Sequence, residues 1–235
     1  MTVRNKPVRV RGVTRDKASK SGDQVSELTA SRLSVYLRCL NALDAAGVKS
    51  VSSKTLAEQF HLNAAQIRKD LAYFGEFGVR GVGYYVRELK RHLRVILGLD
   101  RTVRVAVVGA GNLGLALADY PGFRQEGFEI VAMFDSERGK VGRKSRTGVR
   151  IIEMGEFRKV VKRERIDIAV LAVPASAAQE VVNVAVAAGI RALLNFSPGA
   201  LKVPPGVKLK NVDLTVSLES LSFFLARGEA DEDEG

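Results

Sequence analysis

From Ser31 the apolar residues Leu33, Tyr36, Leu37, Leu40 and Leu43 recur at helical spacing, and the pattern stops at Gly47, so the spacing predicts a first helix ending there. Ser52 or Ser53 offers an N-cap for a short second helix through Lys54, Leu56, Ala57 and Phe60, and His61-Leu62 make a turn. Asn63, with Gln66 three residues on, resembles a capping box and opens a third helix through Phe74 that Gly75 closes. Ile67, Leu71 and Phe74 share one buried stripe of that helix, which leaves Gln66, Arg68 and Lys69 on its other faces. Two short helices joined by a tight turn, the second carrying Gln and Arg near its start, predict a helix-turn-helix whose recognition helix suits base edges and phosphates. The glycines of Gly78-Val79-Arg80-Gly81-Val82-Gly83 permit a hairpin with Arg80 near its tip, as in a wing. The candidate DNA contacts are therefore Lys54, Gln66, Arg68, Lys69, Tyr73, Arg80 and Gly81. Val86, Leu89, Leu93 and Leu97 then mark one side of a helix joining two domains.

Beyond residue 99 the period changes. Val103 to Val108 form a buried-strand run that leads directly into Gly109-Ala110-Gly111-Asn112-Leu113-Gly114 and a helix through Tyr120. GxGxxG on its own is weak, but between a strand and a helix each glycine has a distinct role. The first turns the chain, the second lets backbone approach a pyrophosphate, and the third packs helix on strand. A second strand, Ile130 to Phe134, ends in Asp135, some 20 residues past the last glycine, where an acid can hold a ribose hydroxyl. Asp135 favours NAD over NADP, and the basic stretch Arg138 to Arg146 reads as a solvated loop. Strands at Ile168 to Val173 and Ala192 to Phe196, with a helix from Ser176 to Ala188 between them, bring Val173, Pro174, Asn195 and Phe196 to the glycine-loop edge of the sheet. Apolar Val173, Pro174 and Phe196 would penalise the cationic oxidised nicotinamide by desolvation. A last strand is expected near Val212-Asp213-Leu214, followed by an amphipathic helix whose Leu218, Leu221, Phe224 and Leu225 need an apolar partner.

The expected fold is α/β: an N-terminal winged helix-turn-helix domain plus a Rossmann-type doubly wound parallel sheet. The divisions are a disordered basic arm at 1–24, a DNA-binding domain with its linking helix at 25–98, a dinucleotide domain at 99–217, a dimerisation helix at 218–228 and an acidic tail at 229–235.

Charge sharpens this division. The net charge is +11, and residues 1–99 hold 18 Lys and Arg against 8 Asp and Glu, whereas the remainder holds 19 against 18. A basic front on a near-neutral back fits one polyanion-binding module joined to one of different purpose. No apolar run approaches the length of a membrane span, and the N-terminus has no apolar signal core, so a soluble cytoplasmic protein is expected. Cys39 is the single cysteine, which excludes a disulfide framework and a thiolate metal cluster; no metal is expected.

Catalysis is not expected. Both histidines, His61 and His92, lie in the basic part, and Tyr120 is followed four residues later by Arg124, so the dinucleotide domain lacks an obvious proton donor for hydride transfer. A bound dinucleotide without chemistry suggests a sensed ligand. The alternatives are a small NAD(P)-dependent oxidoreductase with a basic accessory domain, and a binder of another nucleotide such as coenzyme A.

Several segments together resemble the Rex family of redox-sensing transcriptional repressors: Ser31-Arg32-Leu33 through Arg38, the run Gln66 to Gly75, the wing Arg80 to Tyr84, the loop Gly109 to Gly114, Ala172-Val173-Pro174-Ala175, Asn195-Phe196 and Asn211-Val212-Asp213-Leu214. The resemblance covers roughly residues 31–225 and leaves the basic arm and acidic tail outside the family pattern. It implies a homodimer on a palindromic double-stranded operator, NADH as the ligand that releases DNA, NAD+ as its competitor, and a C-terminal helix swapped between subunits. It also implies that Gln66, Arg68 and Lys69 contact the operator from the recognition helix and Arg80 from the wing. Arg38, Tyr120 and Asp213 match a family network in which an acid pairs with arginine or tyrosine according to ligand state.

Overall fold

The structure is a computed structural model and describes residues 25–232, so the basic arm of 1–24 and residues 233–235 of the acidic tail lie outside the described residues. The chain divides into two compact units between Arg101 and Thr102.

The first unit begins with α1 (Glu27–Ala45), whose N-cap Ser26 accepts a hydrogen bond from the Thr29 N–H. A two-residue strand β1 (Ser50–Val51) leads into α2 (Ser53–Phe60), capped by Ser52, and then α3 (Ala64–Phe74), capped by Asn63. His61, at φ 53°, makes the turn between α2 and α3. The hairpin β2 (Gly78–Val79) and β3 (Gly83–Tyr85) follows, then α4 (Val86–Ile96). Leu33, Leu37, Leu40 and Leu43 of α1 enclose the core with Leu56, Ile67, Leu71, Leu89 and Leu93. The strands pair antiparallel in the order β1-β3-β2. β1 is thus an element that periodicity does not reveal, and it makes a third strand behind the wing. Gly83 is required there: its φ is +91° and a Cβ would lie 2.5 Å from the Val51 carbonyl oxygen.

The second unit is a six-stranded, all-parallel sheet in the order β6-β5-β4-β7-β8-β9, the doubly wound dinucleotide-binding order read from its edge. In chain order these are β4 (Val103–Val108), α5 (Asn112–Ala118), α6 (Pro121–Gln125), β5 (Phe128–Asp135), β6 (Ile151–Glu153), α7 (Phe157–Glu164), β7 (Ile168–Leu171), α8 (Ala175–Ala187), β8 (Ala192–Asn195), β9 (Lys208–Asn211) and α9 (Leu214–Glu232). Val, Ile and Leu fill β4 and β7 because helices cover both faces of a parallel sheet. Strand order reverses between β4 and β7, which opens a crevice at their carboxyl ends.

Three expectations are corrected at the end of the chain. The last strand is β9 and stops at Asn211, so Val212-Asp213-Leu214 is not a strand. Asp213 instead turns the chain into α9, its carboxylate accepting from the Thr215 N–H at 2.9 Å. That helix starts at Leu214 rather than Leu218, and its backbone runs on through Glu229–Glu232, the first part of the expected tail.

Candidate nucleic-acid interface and dinucleotide cleft

On α3 the exposed positions are Ala65, Arg68, Lys69, Ala72 and Tyr73, while Ile67, Asp70, Leu71 and Phe74 are buried. The exposed set forms one continuous face and carries two cations. Arg68 Nη1 donates to Ser53 Oγ at 2.9 Å, which ties the face to the start of α2. Lys54 extends into solvent beside it, 81% exposed and 3.8 Å from Glu58. Arg80 and Gly81 lie in the turn between β2 and β3, both exposed, and Gly81 takes φ +79°. Tyr73 packs edge-on against Phe74, and the residue is still 44% exposed.

Sequence reasoning missed the group that holds this face in place. Asp70 is 4% exposed, and its two oxygens accept from Arg32 Nε at 2.6 Å, Arg32 Nη2 at 2.8 Å, Tyr36 Oη at 2.9 Å and Gln66 Nε2 at 2.7 Å. The Arg32 bonds hold the Asp70 carboxyl below its ordinary range against burial, which acts the other way. Burial, reinforced by Asp70, pushes the Tyr36 phenol up to about 12. A buried carboxylate needs such partners, since an unpaired one would be expensive. The result latches the recognition helix to α1. The signal is present in the sequence: an acid three residues after Ile67 and four before Phe74 sits on the buried stripe and demands an internal cation. The capping box is only half formed, because Asn63 accepts from the Gln66 N–H at 2.9 Å while the Gln66 amide turns to Asp70 rather than back to Asn63.

In the second unit a cleft of about 590 Å³ opens at the strand-order reversal, lined by Gly109, Gly111, Asn112, Leu113, Asp135, Val173 and Pro174 among others. The glycines there are dictated by contact. A Cβ on Gly109 would lie 2.3 Å from the Ala172 carbonyl oxygen, and one on Gly114 would lie 1.8 Å from the Gly109 carbonyl oxygen, whereas Gly111 faces open space. Open space at Gly111 is what a phosphate group needs to reach backbone. α5 begins there, and the first-turn N–H groups of a helix have no partner within it. Asp135 accepts from the Ala110 N–H at 2.7 Å and the Glu137 N–H at 2.8 Å; burial raises its carboxyl, but these bonds and Lys140 bring it below the ordinary range.

Four expected dinucleotide-binding residues do not line the cleft: Ala110 and Gly114 are buried, and Asn195 and Phe196 are elsewhere. Asn195 is 1% exposed and spends its side chain on Ser197 N, Ser197 O and Asn211 Oδ1, which shapes the β8 turn. Phe196 is half-buried and is not part of the cleft wall, whose apolar lining includes Val173, Pro174, Leu113 and Met154. Lys140, expected in a solvated loop, is in the cleft 3.5 Å from Asp135 and ion-paired to Glu137 as well. Glu180 of α8 also lines the cleft and carries no signature that its sequence neighbourhood announces.

Two family profiles match the chain: "Putative DNA-binding protein N-terminus" over residues 24–72 and "CoA binding domain" over residues 100–199. A redox-sensing transcriptional repressor Rex from Desulfitobacterium hafniense is 47% identical over 200 residues, covering 85% of this chain and 95% of the relative. Its counterpart from Carboxydothermus hydrogenoformans is 48% identical over 206 residues, covering 88% and 99%. The chain belongs to the Rex family. Among solved structures, the Rex-family repressor RSP in complex with β-NAD+ and operator DNA is 40% identical with a TM-score of 0.83, covering 90% of this chain and 97% of that one. RSP in complex with β-NADH gives 38% and 0.79, covering 91% and 100%.

The three residues that Rex resemblance groups into a switch are divided between the units. Arg38 lies exposed on α1 of the first unit. Tyr120 and Asp213 belong to the second, both exposed, and no hydrogen bond joins them among the described residues. Tyr120 stacks edge-on with Phe123 and covers Gly122, where a Cβ would come within 2.5 Å of its ring. Helix α9 presents Leu214, Val216, Leu218, Leu221, Phe223, Phe224 and Leu225, each more than half exposed. Among the described residues no helix is long and apolar enough to cross a membrane, and no group of three His, Cys, Asp or Glu could hold a metal ion.

Proposed function

We propose that the chain is a cytoplasmic transcriptional regulator, not an enzyme: a homodimer that binds a palindromic operator through paired winged helices and releases it when NADH occupies the glycine cleft. NAD+ competes for the same cleft. The observation that carries the reading is the joining, in one chain, of a latched cationic recognition helix to a glycine loop that opens backbone to an anion at Gly111. The residues fit a dinucleotide. Gly111 leaves backbone open to a pyrophosphate at the start of α5, Gly109 and Gly114 let the loop and helix pack closely enough to present it, and Asp135 at the end of β5 is placed for a ribose diol. Lys140 is already neutralised by two carboxylates, Asp135 and Glu137, so the local charge disfavours a 2′-phosphate and supports NADH over NADPH.

Selectivity for the reduced form rests on charge. The apolar wall of Val173 and Pro174 accepts a neutral dihydronicotinamide, whereas the cationic oxidised ring loses hydration against it. Regulation then needs NADH to prefer the arrangement that does not bind DNA, with coupling of about 1–3 kcal/mol. Arg38, Tyr120 and Asp213 are the groups we assign to that change of state. The exposed apolar face of α9 supports dimerisation, since so many uncovered apolar side chains mark a protein partner.

Fluorescence anisotropy with labelled palindromic promoter fragments, at fixed salt, tests the reading through separate titrations with NADH, NAD+ and coenzyme A. Release by NADH at far lower concentration than by the other two is the expected result. Turnover of NADH with carbonyl substrates, or release by coenzyme A alone, would overturn it.

A further inference from the structure

Gln66 occupies the third position of α3, on the border between the exposed face bearing Lys69 and Tyr73 and the buried stripe bearing Asp70. A free glutamine at such a position can turn its amide either way, offering a donor to guanine or thymine or an acceptor to adenine or cytosine. Here that symmetry is broken. Both oxygens of Asp70 are engaged by Arg32, and an ionised carboxylate only accepts, so the amide must turn its NH2 group to Asp70, as it does at 2.7 Å. That bond takes one of the two amide N–H groups and fixes the sense of the amide, leaving the carbonyl oxygen and one N–H to meet a base.

We propose that Asp70, held by Arg32 and Tyr36, fixes the sense in which the Gln66 carboxamide meets DNA, so that this position presents its oxygen together with one N–H and reads adenine. Adenine satisfies both, N6 donating to the oxygen and N7 accepting the N–H, whereas guanine and thymine set a carbonyl oxygen against the amide oxygen. Asp70 is thus a positioning residue and Gln66 the specificity determinant. The inference rests on the DNA-binding reading above.

The test is selection from a randomised palindromic library by the full chain, comparing wild type, Gln66→Ala and Asp70→Asn, with melting curves recorded for each. Wild type should show one symmetric pair of positions favouring adenine, by roughly tenfold or more for the directed amide contact. Gln66→Ala should flatten that pair alone. Asp70→Asn, whose side chain both donates and accepts, should let the Gln66 amide turn over and admit guanine and thymine at that pair without changing the rest of the profile. A Gln66→Ala profile identical to wild type, or a Gln66-dependent preference for any base but adenine, would overturn the proposal even if Asp70→Asn fails to fold. No sequence preference in wild type would overturn the DNA-binding reading itself, and this proposal with it.

Discussion

Replacing Gly114 with alanine places a methyl group 1.8 Å from the Gly109 carbonyl oxygen, where real Cβ atoms keep at least 3.0 Å, so backbone must separate by about 1.2 Å. Both contacting groups are main chain, and no flexible side chain can give way. The added strain is of the overpacking kind, about 1–3 kcal/mol, which a domain with about 5–15 kcal/mol of stability survives. The consequence for ligand is larger. Hydrogen bonds to phosphate act over about 2.7–3.2 Å, so a shift above 1 Å removes them, and each charged bond contributes about 1.5–3 kcal/mol. Losing two weakens NADH by about 3 kcal/mol or more, at least roughly a hundredfold. Operator binding without dinucleotide should be unchanged, because α1 to α4 have a core of their own. Calorimetric titration of NADH into Gly114→Ala, with circular dichroism to verify folding, measures the effect. A folded variant that binds NADH within threefold of wild type would refute the assignment of the glycine loop as the phosphate seat.

Lys69→Ala should weaken operator binding nearly uniformly across sequences and lower the slope of log affinity against log salt by about one, if Lys69 meets a phosphate; an unchanged slope in a salt series contradicts that role. Asp119, which closes α5, accepts from Thr147 N at 2.8 Å, Thr147 Oγ1 at 2.7 Å and Arg146 N at 3.1 Å; burial raises its carboxyl, but these bonds bring it to about 2 from an ordinary 3.8. Its stabilisation is therefore complete above about pH 4 and lost as pH falls through about 2, so Asp119→Asn should flatten the acid limb of the urea midpoint against pH, and an unaltered limb would contradict it. Charged residues on the open face of α9, as in Leu218→Asp with Leu221→Asp, should convert the protein to monomers in sedimentation; dimers of wild-type affinity would show that the interface lies elsewhere.

The elements legible in the sequence are those with long apolar periods or local chemistry. α1 has five core residues at helical spacing, α2 and α3 have side-chain caps, and β4 runs directly into the glycine loop, so each carries its own signal. β1 and β6, at two and three residues, are too short for a period to register and exist because β3 and β5 offer them edges. The start of α9 is hidden in the sequence because Val212-Asp213-Leu214 looks like a strand until the Asp213 side chain is seen capping the turn. Asp70 and Arg32 are 38 residues apart, so the latch on the recognition helix depends on tertiary packing that no local window contains. Asn195 reads as a ligand-facing strand end, yet its amide satisfies backbone and Asn211 instead. Lys140 lies in a charge-rich loop whose sequence gives no direction to any one side chain, and only the β5 terminus brings it to Asp135.

The central claim is that operator DNA and NADH exclude one another through a shared equilibrium, and reciprocity tests it most directly. NADH affinity should be measured by intrinsic dinucleotide fluorescence with and without saturating operator, beside operator affinity with and without saturating NADH. Linkage requires the two ratios to be equal, and the account predicts that each ligand weakens the other by the same factor, of roughly 5–150-fold. An operator-bound protein that takes up NADH with undiminished affinity would contradict it.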